Sequence, residues 1–381
     1  MKKRDTFLSY GRQTIDEEDI AAVVETLRSP FLTQGPKVEE FEQEVADYVG
    51  AKYAVAFSNG TTALHGACYA AGIGDGDEVI TTPITFVATS NAVLYCGGTP
   101  VFADIDEQTY NIDPLEIEKK ITSKTKAIMP VDFTGQPVDL DAIMEIASRH
   151  NLIVIEDGAH SLGATYKGRK IGSQADMTMF SFHPVKPITT GEGGIITTNS
   201  EVFYEKLKLF RSHGISKTPY AIEQGDWYYE MTDLGNNYRM CDIQAALGVS
   251  QMHKIDGFIE RRREIVALYN EKLAAIPGII LPKQLEETKS GWHLYMIQLD
   301  SQVFNKSRKE IFTEMREQNI GVHVHYIPVY WQPYYRELGY EKGLCPVAEQ
   351  WYEQALTLPI YPGMTDGDVG DVVGALREVV R

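Results

Sequence analysis

The sequence predicts an α/β fold, in which a large domain built on a mostly parallel seven-stranded sheet is followed by a smaller C-terminal α+β domain. Three observations predict it. Seven short apolar runs alternate with helix-sized segments between residues 53 and 198, and such alternation implies crossovers that lay strands parallel and cover both faces of the sheet. A long helical pattern then runs from about Met240 to Ile276 and gives way to β-like pieces between further helices. Finally, a chain of 381 residues exceeds what one core usually organises, at ~150 residues per domain. The expected division is residues 1–250 for the large domain, including an N-terminal helical segment, and 251–381 for the small one.

Thr14 and Glu17 have the spacing of a capping box, and Ile20, Val23, Val24 and Leu27 recur at helical spacing, so a surface helix starts there. Val38, Phe41, Val45 and Tyr48 mark a second amphipathic helix, ending where Gly50 can adopt the left-handed conformation. The strand-like runs are YAVAF (53–57), EVITT (78–82), PVFADI (100–105), AIMPVDF (127–133), LIVIED (152–157), MTMFSF (177–182) and GIITT (194–198). Helix-sized segments such as Leu140 to His150 separate them. In the tail, GIILPKQL and the stretch from His293 to Val329 supply β-like pieces. With no internal repeat and no low-complexity linker, the two domains are expected to pack together.

Composition narrows the function. The chain is 43% hydrophobic and 23% charged, without the bias of disordered, collagen-like or coiled-coil proteins. Its net charge of −17 repels polyanions, so no nucleic-acid partner is expected. The densest basic cluster, Arg261 to Arg263, sits among Glu260 and Glu264 and reads as a solvated helix face. The N-terminus lacks an apolar signal region and no stretch approaches the ~18 apolar residues of a membrane span, so a soluble, cytoplasmic protein is expected. Cys68, Cys96, Cys241 and Cys345 are scattered without a C-x-x-C and read as buried, inert thiols.

Ligands collect at the carboxyl ends of strands in such sheets, and three of those ends carry chemistry. After the first run comes Ser58-Asn59-Gly60-Thr61-Thr62, whose glycine, hydroxyls and helix-end amides make either a phosphate cradle or simply a capped helix. The fifth run ends in Glu156-Asp157, and an acid buried there needs a cationic partner. Asp157 could cap a helix, hold a metal with His160, or face a protonated heterocycle. The sixth run leads to Lys186, held between Pro184 and Pro187 ahead of a Gly-rich turn. A loop lysine is usually a surface charge, but a desolvated one becomes a nucleophile able to form a Schiff base. Together, a phosphate cradle, an acid and a lysine 29 residues beyond it form the set that pyridoxal 5′-phosphate requires.

The chain resembles the sugar-nucleotide aminotransferases of the DegT/DnrJ/EryC/StrS family, which have the fold-type I architecture. The resemblance runs from about Leu8 to Val380 and is carried by LTQGPKVEEFE, SNGTTAL, DEVITTPITFVAT, PVFADID, EDGAHSLGA, FSFHPVKPITTGEGG, LFRSHG, LGNNYRMCDIQAALG and HVHYIPVY. It implies that Lys186 is the Schiff-base lysine and proton shuttle, Asp157 the partner of the pyridinium, and Phe86 the aromatic surface stacked on the ring. Thr61, Thr62 and Ser181 would hold the cofactor phosphate. Asn237 would reach the phosphate of the neighbouring subunit, giving a homodimer with shared active sites. His160, where many relatives carry Gln, would contact the ring hydroxyl. His325 and Tyr326 would line the sugar-nucleotide pocket with Tyr330, a position at which many relatives acting on other sugars carry His.

Within the family, FHPVKPITTGEGG and HYIPVY most resemble the branch serving pseudaminic acid biosynthesis. That branch aminates UDP-2-acetamido-2,6-dideoxy-β-L-arabino-hex-4-ulose, with L-glutamate the expected donor. The rivals are action on another UDP- or dTDP-4-ketosugar, a sugar dehydratase, or a non-catalytic regulator. Dehydratases of this scaffold replace the lysine, often with His, so Lys186 argues against that reading. Other motifs carry less. His323 and His325 alternate about Val324 and could form a metal pair, but no carboxylate or Cys stands at ligand spacing, so no metal is expected. GIGDGD (72–77) precedes a strand and reads as a turn, and GATYKGRK (163–170) misses the P-loop by one residue.

Overall fold

The computed structural model describes residues 3–381. Its large sheet comprises β1 (Tyr53–Phe57), β2 (Glu78–Thr81), β3 (Thr99–Phe102), β4 (Thr125–Met129), β5 (Ile153–Asp157), β6 (Met177–Ser181) and β7 (Gly194–Thr198). The strand order is β1-β7-β6-β5-β4-β2-β3. All pairs are parallel except those of β7, which runs antiparallel to both β1 and β6. This is the fold-type I α/β architecture. Burial on both faces explains why the strands read as continuous apolar runs. Ala54, Ala56, Ile80, Ile128, Val154, Phe180 and Ile195 belong to one core. Their immediate neighbours Val55, Phe57, Val79, Met129, Ile155, Met179 and Ile196 belong to the core on the opposite face. The two-residue period of a strand divides them.

The helices that position the site are α1 (Glu17–Arg28), α2 (Pro36–Val49), α3 (Gly60–Ala70), α4 (Ala88–Tyr95), α5 (Leu140–His150) and α6 (Glu201–Arg211). The expected C′ glycine is present, since Gly50 follows α2 with φ 75°. The expected capping box at Thr14 and Glu17 is not. Asp16 caps α1, accepting from the amides of Glu18 and Asp19, while the Asp19 side chain accepts from Asp16 N. Tertiary bonds select this register, because buried Asp19 also accepts from Ser250, Gln251 and Lys254.

The continuous helix expected from Met240 to Ile276 is two helices, α7 (Asp242–Met252) and α8 (Ile255–Leu273), broken at His253 and Lys254. No Pro or Gly causes the break. Helix α7 is buried from Ala245 to Met252 except at half-buried Leu247, packed against α1 and α2, with Gly248 so close to the Phe41 ring that an added Cβ would lie 2.6 Å from it. Helix α8 leaves this layer for a second core. Ile255 and Ile259 belong to the first core, while Ile265, Val266, Tyr269 and Leu273 belong to the second. We propose that the boundary between two domains lies along α8, ten or so residues beyond position 250. Arg262 lies on this helix and is fully buried instead of solvated, donating from Nη1 to the carbonyls of Trp292, His293 and Ile360. Its neighbours Arg261 and Arg263 do pair with acids at the surface.

The second core surrounds an antiparallel sheet of β8 (Ile279–Ile280), β9 (Tyr295–Leu299) and β10 (Ala355–Leu358), with α9 (Arg308–Glu317) and α10 (Asp366–Val379) packed on it. Residues 72–77 form a turn, with Gly72 and Gly76 at positive φ, and residues 163–170 form a hairpin pairing Thr165 with Lys170. Cys68 and Cys345 are buried as expected, whereas Cys96 and Cys241 are half-buried, and burial raises the thiols of Cys68, Cys96 and Cys345 away from reactivity. Among the described residues no helix is long and apolar enough to cross a membrane.

Candidate active site

Asp157 closes β5, where the strand end is 3% exposed. Thr89 Oγ1 donates to its Oδ2 at 2.7 Å, and the Ala159 amide donates to its Oδ1 at 3.1 Å. Thr89 comes from α4 and bonds Thr85 Oγ1 at 2.8 Å, so the carboxylate is held from two sides. Burial raises its pKa, against the opposing effects of Thr89, the Ala159 amide and the Lys186 charge. Neither the capping nor the metal alternative describes Asp157, since no helix begins there and no group of three or more metal-ligating side chains forms among the described residues.

Lys186 follows β6 on a turn closed by its own amide donating to His183 O at 2.9 Å. Proline on either side restricts the loop, and its ammonium group faces Asp157 closely enough to feel its charge. Burial lowers the lysine pKa to about 8, against the opposing pull of Asp157. An amine in this range has a substantial neutral fraction near physiological pH, which a nucleophile needs.

The capped-helix reading of residues 58–64 holds, and the phosphate-cradle reading remains compatible with it. Asn59 caps α3 by accepting from Thr62 N at 3.0 Å. The amides of Gly60 and Thr61 have no acceptor within the helix, and both residues line the cavity at the positive end of the helix dipole. Gly60 keeps this corner open, because an added Cβ would lie 3.2 Å from Ser181 Cβ.

One cavity of about 970 Å³ joins these parts. Thr61, Thr62, Phe86, Asp157, His160, Ser181, Lys186, His325 and Tyr326 all line it. Phe86 is 58% exposed, unusual for a large apolar side chain at the heart of a fold, and its ring offers a bare face. His325 is buried, bonded to Thr357 through Nδ1 at 2.9 Å and stacked on His323 at 4.4 Å. Two expected residues stand elsewhere. Tyr330 is fully buried away from the cavity wall, donating to Glu349 at 2.6 Å and packed against Phe102. The 3₁₀ turn at Val329–Trp331 directs it into an aromatic core, so it can act on a ligand only through its neighbours. Asn237 is exposed and bridges Ser212 in the backbone, outside the cavity of this single chain.

The structure adds residues that sequence reasoning passed over. Thr85 and Thr89 carried a local signal, hydroxyls one helical turn apart just after a strand end. His293 and Tyr10 had none, since each enters the cavity from a distant segment. Behind Asp157 lie Asp132 and Glu156, both fully buried, and burial raises both carboxyl pKa values, that of Asp132 to about 7. Ser161 and Thr178 donate to them, and among the described residues no cation pairs with either, so burial pulls both toward the protonated form.

A group carrying an aldehyde, a basic ring nitrogen and a phosphate could engage the lysine, the buried acid and the helix end from within this one cavity, which Phe86 also lines. The residues therefore fit pyridoxal 5′-phosphate, which places the protein among the fold-type I enzymes that use this cofactor. Residues 13–377 match the model of the DegT/DnrJ/EryC1/StrS aminotransferase family, and the chain belongs to that family. It is 46% identical to the spore coat polysaccharide biosynthesis protein SpsC of Bacillus subtilis, over 100% of this chain and 99% of that one. It is 39% identical, over 98% of both chains, to the UDP-4-amino-4,6-dideoxy-N-acetyl-beta-L-altrosamine transaminase of Campylobacter jejuni. The solved structure of Helicobacter pylori PseC, an aminotransferase involved in the biosynthesis of pseudoaminic acid, superposes with a TM-score of 0.92 at 35% identity, covering 98% of this chain and 99% of that one. The protein is thus an aminotransferase of the sugar-nucleotide class.

Proposed function

We propose that the protein transfers the amino group of L-glutamate to C4 of a UDP-linked 4-keto-6-deoxy-N-acetylhexosamine, UDP-2-acetamido-2,6-dideoxy-β-L-arabino-hex-4-ulose, in pseudaminic acid biosynthesis. The observation that carries the aminotransferase reading is the softened Lys186 amine facing Asp157 in a cavity spacious enough for cofactor and sugar together. The likeness to the Campylobacter and Helicobacter enzymes supports the sugar. The higher identity to SpsC favours a second reading, in which another UDP- or dTDP-4-ketosugar is aminated for a different polysaccharide.

Bound pyridoxal 5′-phosphate supplies an electron sink and carries nitrogen from donor to acceptor. Lys186 Nζ would hold the cofactor covalently, then, once displaced by the donor amine, take the proton from the glutamate α-carbon as 2-oxoglutarate forms. In the second half-reaction the same Nζ delivers a proton to sugar C4. Asp157 would keep the ring nitrogen protonated and would thereby gain the cationic partner that its burial demands. Thr61, Thr62, Ser181 and the amides of α3 would hold the phosphate. Phe86 would cover a ring face, His160 would meet the ring hydroxyl, and His325 and Tyr326 would border the sugar.

The purified enzyme, offered L-glutamate and a panel of UDP- and dTDP-4-ketosugars, is expected to aminate the β-L-arabino UDP-sugar with the highest kcat/KM. Preference for another ketosugar would replace this reading with the second one.

Asn237 supports a homodimer with shared sites, because it is exposed here and its expected ligand is the phosphate of the adjoining subunit. Lys186→Ala and Asn237→Ala proteins, unfolded and refolded together, should regain activity through hybrids with one intact site. Tagged hybrids no more active than either parent would refute the sharing.

A further inference from the structure

His160 lacks an anchor of its own. Its ring is buried, its Nδ1 has no hydrogen-bond partner among the described residues, and burial and the Lys186 charge keep it neutral. A side chain without hydrogen bonds is oriented by what packs on it. The rings around it are Phe133 at 6.2 Å, Tyr326 at 6.4 Å and, much closer, His293 at 4.4 Å with a tilt of 45°.

His293 arrives from the start of the small antiparallel sheet and is fixed by its backbone. Gly291 N donates to Gly135 O at 2.9 Å and Leu294 N to Thr134 O at 3.1 Å, bracketing the residue. Arg262 clasps the carbonyls of Trp292 and His293 from behind. Gly135, with φ 103°, permits the approach, since an added Cβ would lie 2.7 Å from His160 O and 2.9 Å from Trp292 N. The loop at 133–136, the loop carrying His160 and the strand entry carrying His293 therefore interlock. The His293 Nδ1 is also buried without a partner, so this side chain contributes a ring surface and no hydrogen bond at that atom.

We propose that His293 is a positioning residue for the cofactor: its ring holds the His160 ring at the cavity wall, with Arg262 and Gly135 holding His293 in register. The proposal rests on the assignment of His160 to the cofactor, which His160→Ala tests separately in the same binding assay.

The test uses full-length apoprotein, titrated with pyridoxal 5′-phosphate by absorbance, together with the ring resonances of His160 in the absence of cofactor. His293→Ala should weaken cofactor binding about tenfold, the scale seen when a group orienting a ligand-binding side chain is lost, and should shift or broaden the His160 resonances. His293→Phe, which keeps a ring and removes both nitrogens, should restore both toward wild type. Unchanged His160 resonances in His293→Ala would overturn the proposal, as would a Phe variant that binds as weakly as the Ala variant, because the imidazole would then touch the ligand itself. Should His293→Ala fail to fold, the Phe variant against wild type decides alone. Moved resonances with cofactor affinity intact in both His293→Ala and His160→Ala would also overturn it.

Discussion

Lys186→Arg is expected to lower turnover by ~10⁴-fold or more, the upper range for a lost proton-transfer group that is also the nucleophile. Arginine retains the positive charge beside Asp157, so the cavity keeps its electrostatic balance and the protein should fold. The guanidinium stays protonated at any working pH and has no free amine with which to hold the cofactor or to accept a proton. Cofactor binding should survive in part through Thr61, Thr62, Ser181 and Phe86. Borohydride reduction of wild-type holoenzyme should leave the cofactor's mass on the peptide containing Lys186 and on no other. A label on a different lysine, or near-normal turnover by the variant, would remove Lys186 from the mechanism.

Asp157→Asn should slow amination by ~10²-fold or more. The amide preserves shape and can still accept from Thr89, but it lacks the charge that keeps a ring nitrogen protonated. The same change has a consequence in apoprotein. In wild type, combination with pyridoxal 5′-phosphate should speed up as pH rises through about 8, because the Lys186 amine is neutral only above its own pKa. The Asp157 charge raises that pKa against the effect of burial, so removing it should move the midpoint to lower pH. Rapid-mixing absorbance across the pH range reads both. A midpoint unmoved by the substitution would mean that Asp157 carries no charge at that stage, and full catalytic turnover would assign the ring proton to another acid.

Most of the large sheet was legible because its strands are buried on both faces. Each had to be a continuous apolar run, and β1 and β7 match the expected YAVAF and GIITT residue for residue. The others differ only at their ends, where ladder pairing and hydrophobicity do not coincide: β3 and β4 begin at Thr99 and Thr125, before their apolar runs, and stop short of the runs' far ends. The cavity's three corners were equally legible, since Asp157 ends a strand and Asn59-Gly60 and Lys186 lie within five residues of one. The places where expectation failed depend on distant segments. Asp16 displaced Thr14 as the cap of α1 because Asp19 is bonded to the far side of the fold at Ser250, Gln251 and Lys254. The break before α8 has no breaker residue and comes from packing on α1 and α2. Tyr330, judged by resemblance to face the sugar, instead satisfies its hydroxyl with Glu349 in an aromatic core.

What local order alone determined about this protein is its fold class and which groups are candidates for its chemistry, since alternation, caps and strand ends are properties of neighbouring residues. Burial and the assembly of the site belong to tertiary structure. Arg262 reads as a surface charge in a run of three arginines, yet the fold encloses it, pushes its pKa down to about 10 and uses it to tie three carbonyls together. Lys186 is a loop lysine until burial softens it to about 8. His293, about a hundred residues from Lys186 in the chain, joins the same cavity only when the small sheet packs against the large one. Desolvation and long-range contact depend on which segments meet in space, and no window of neighbouring residues contains that information.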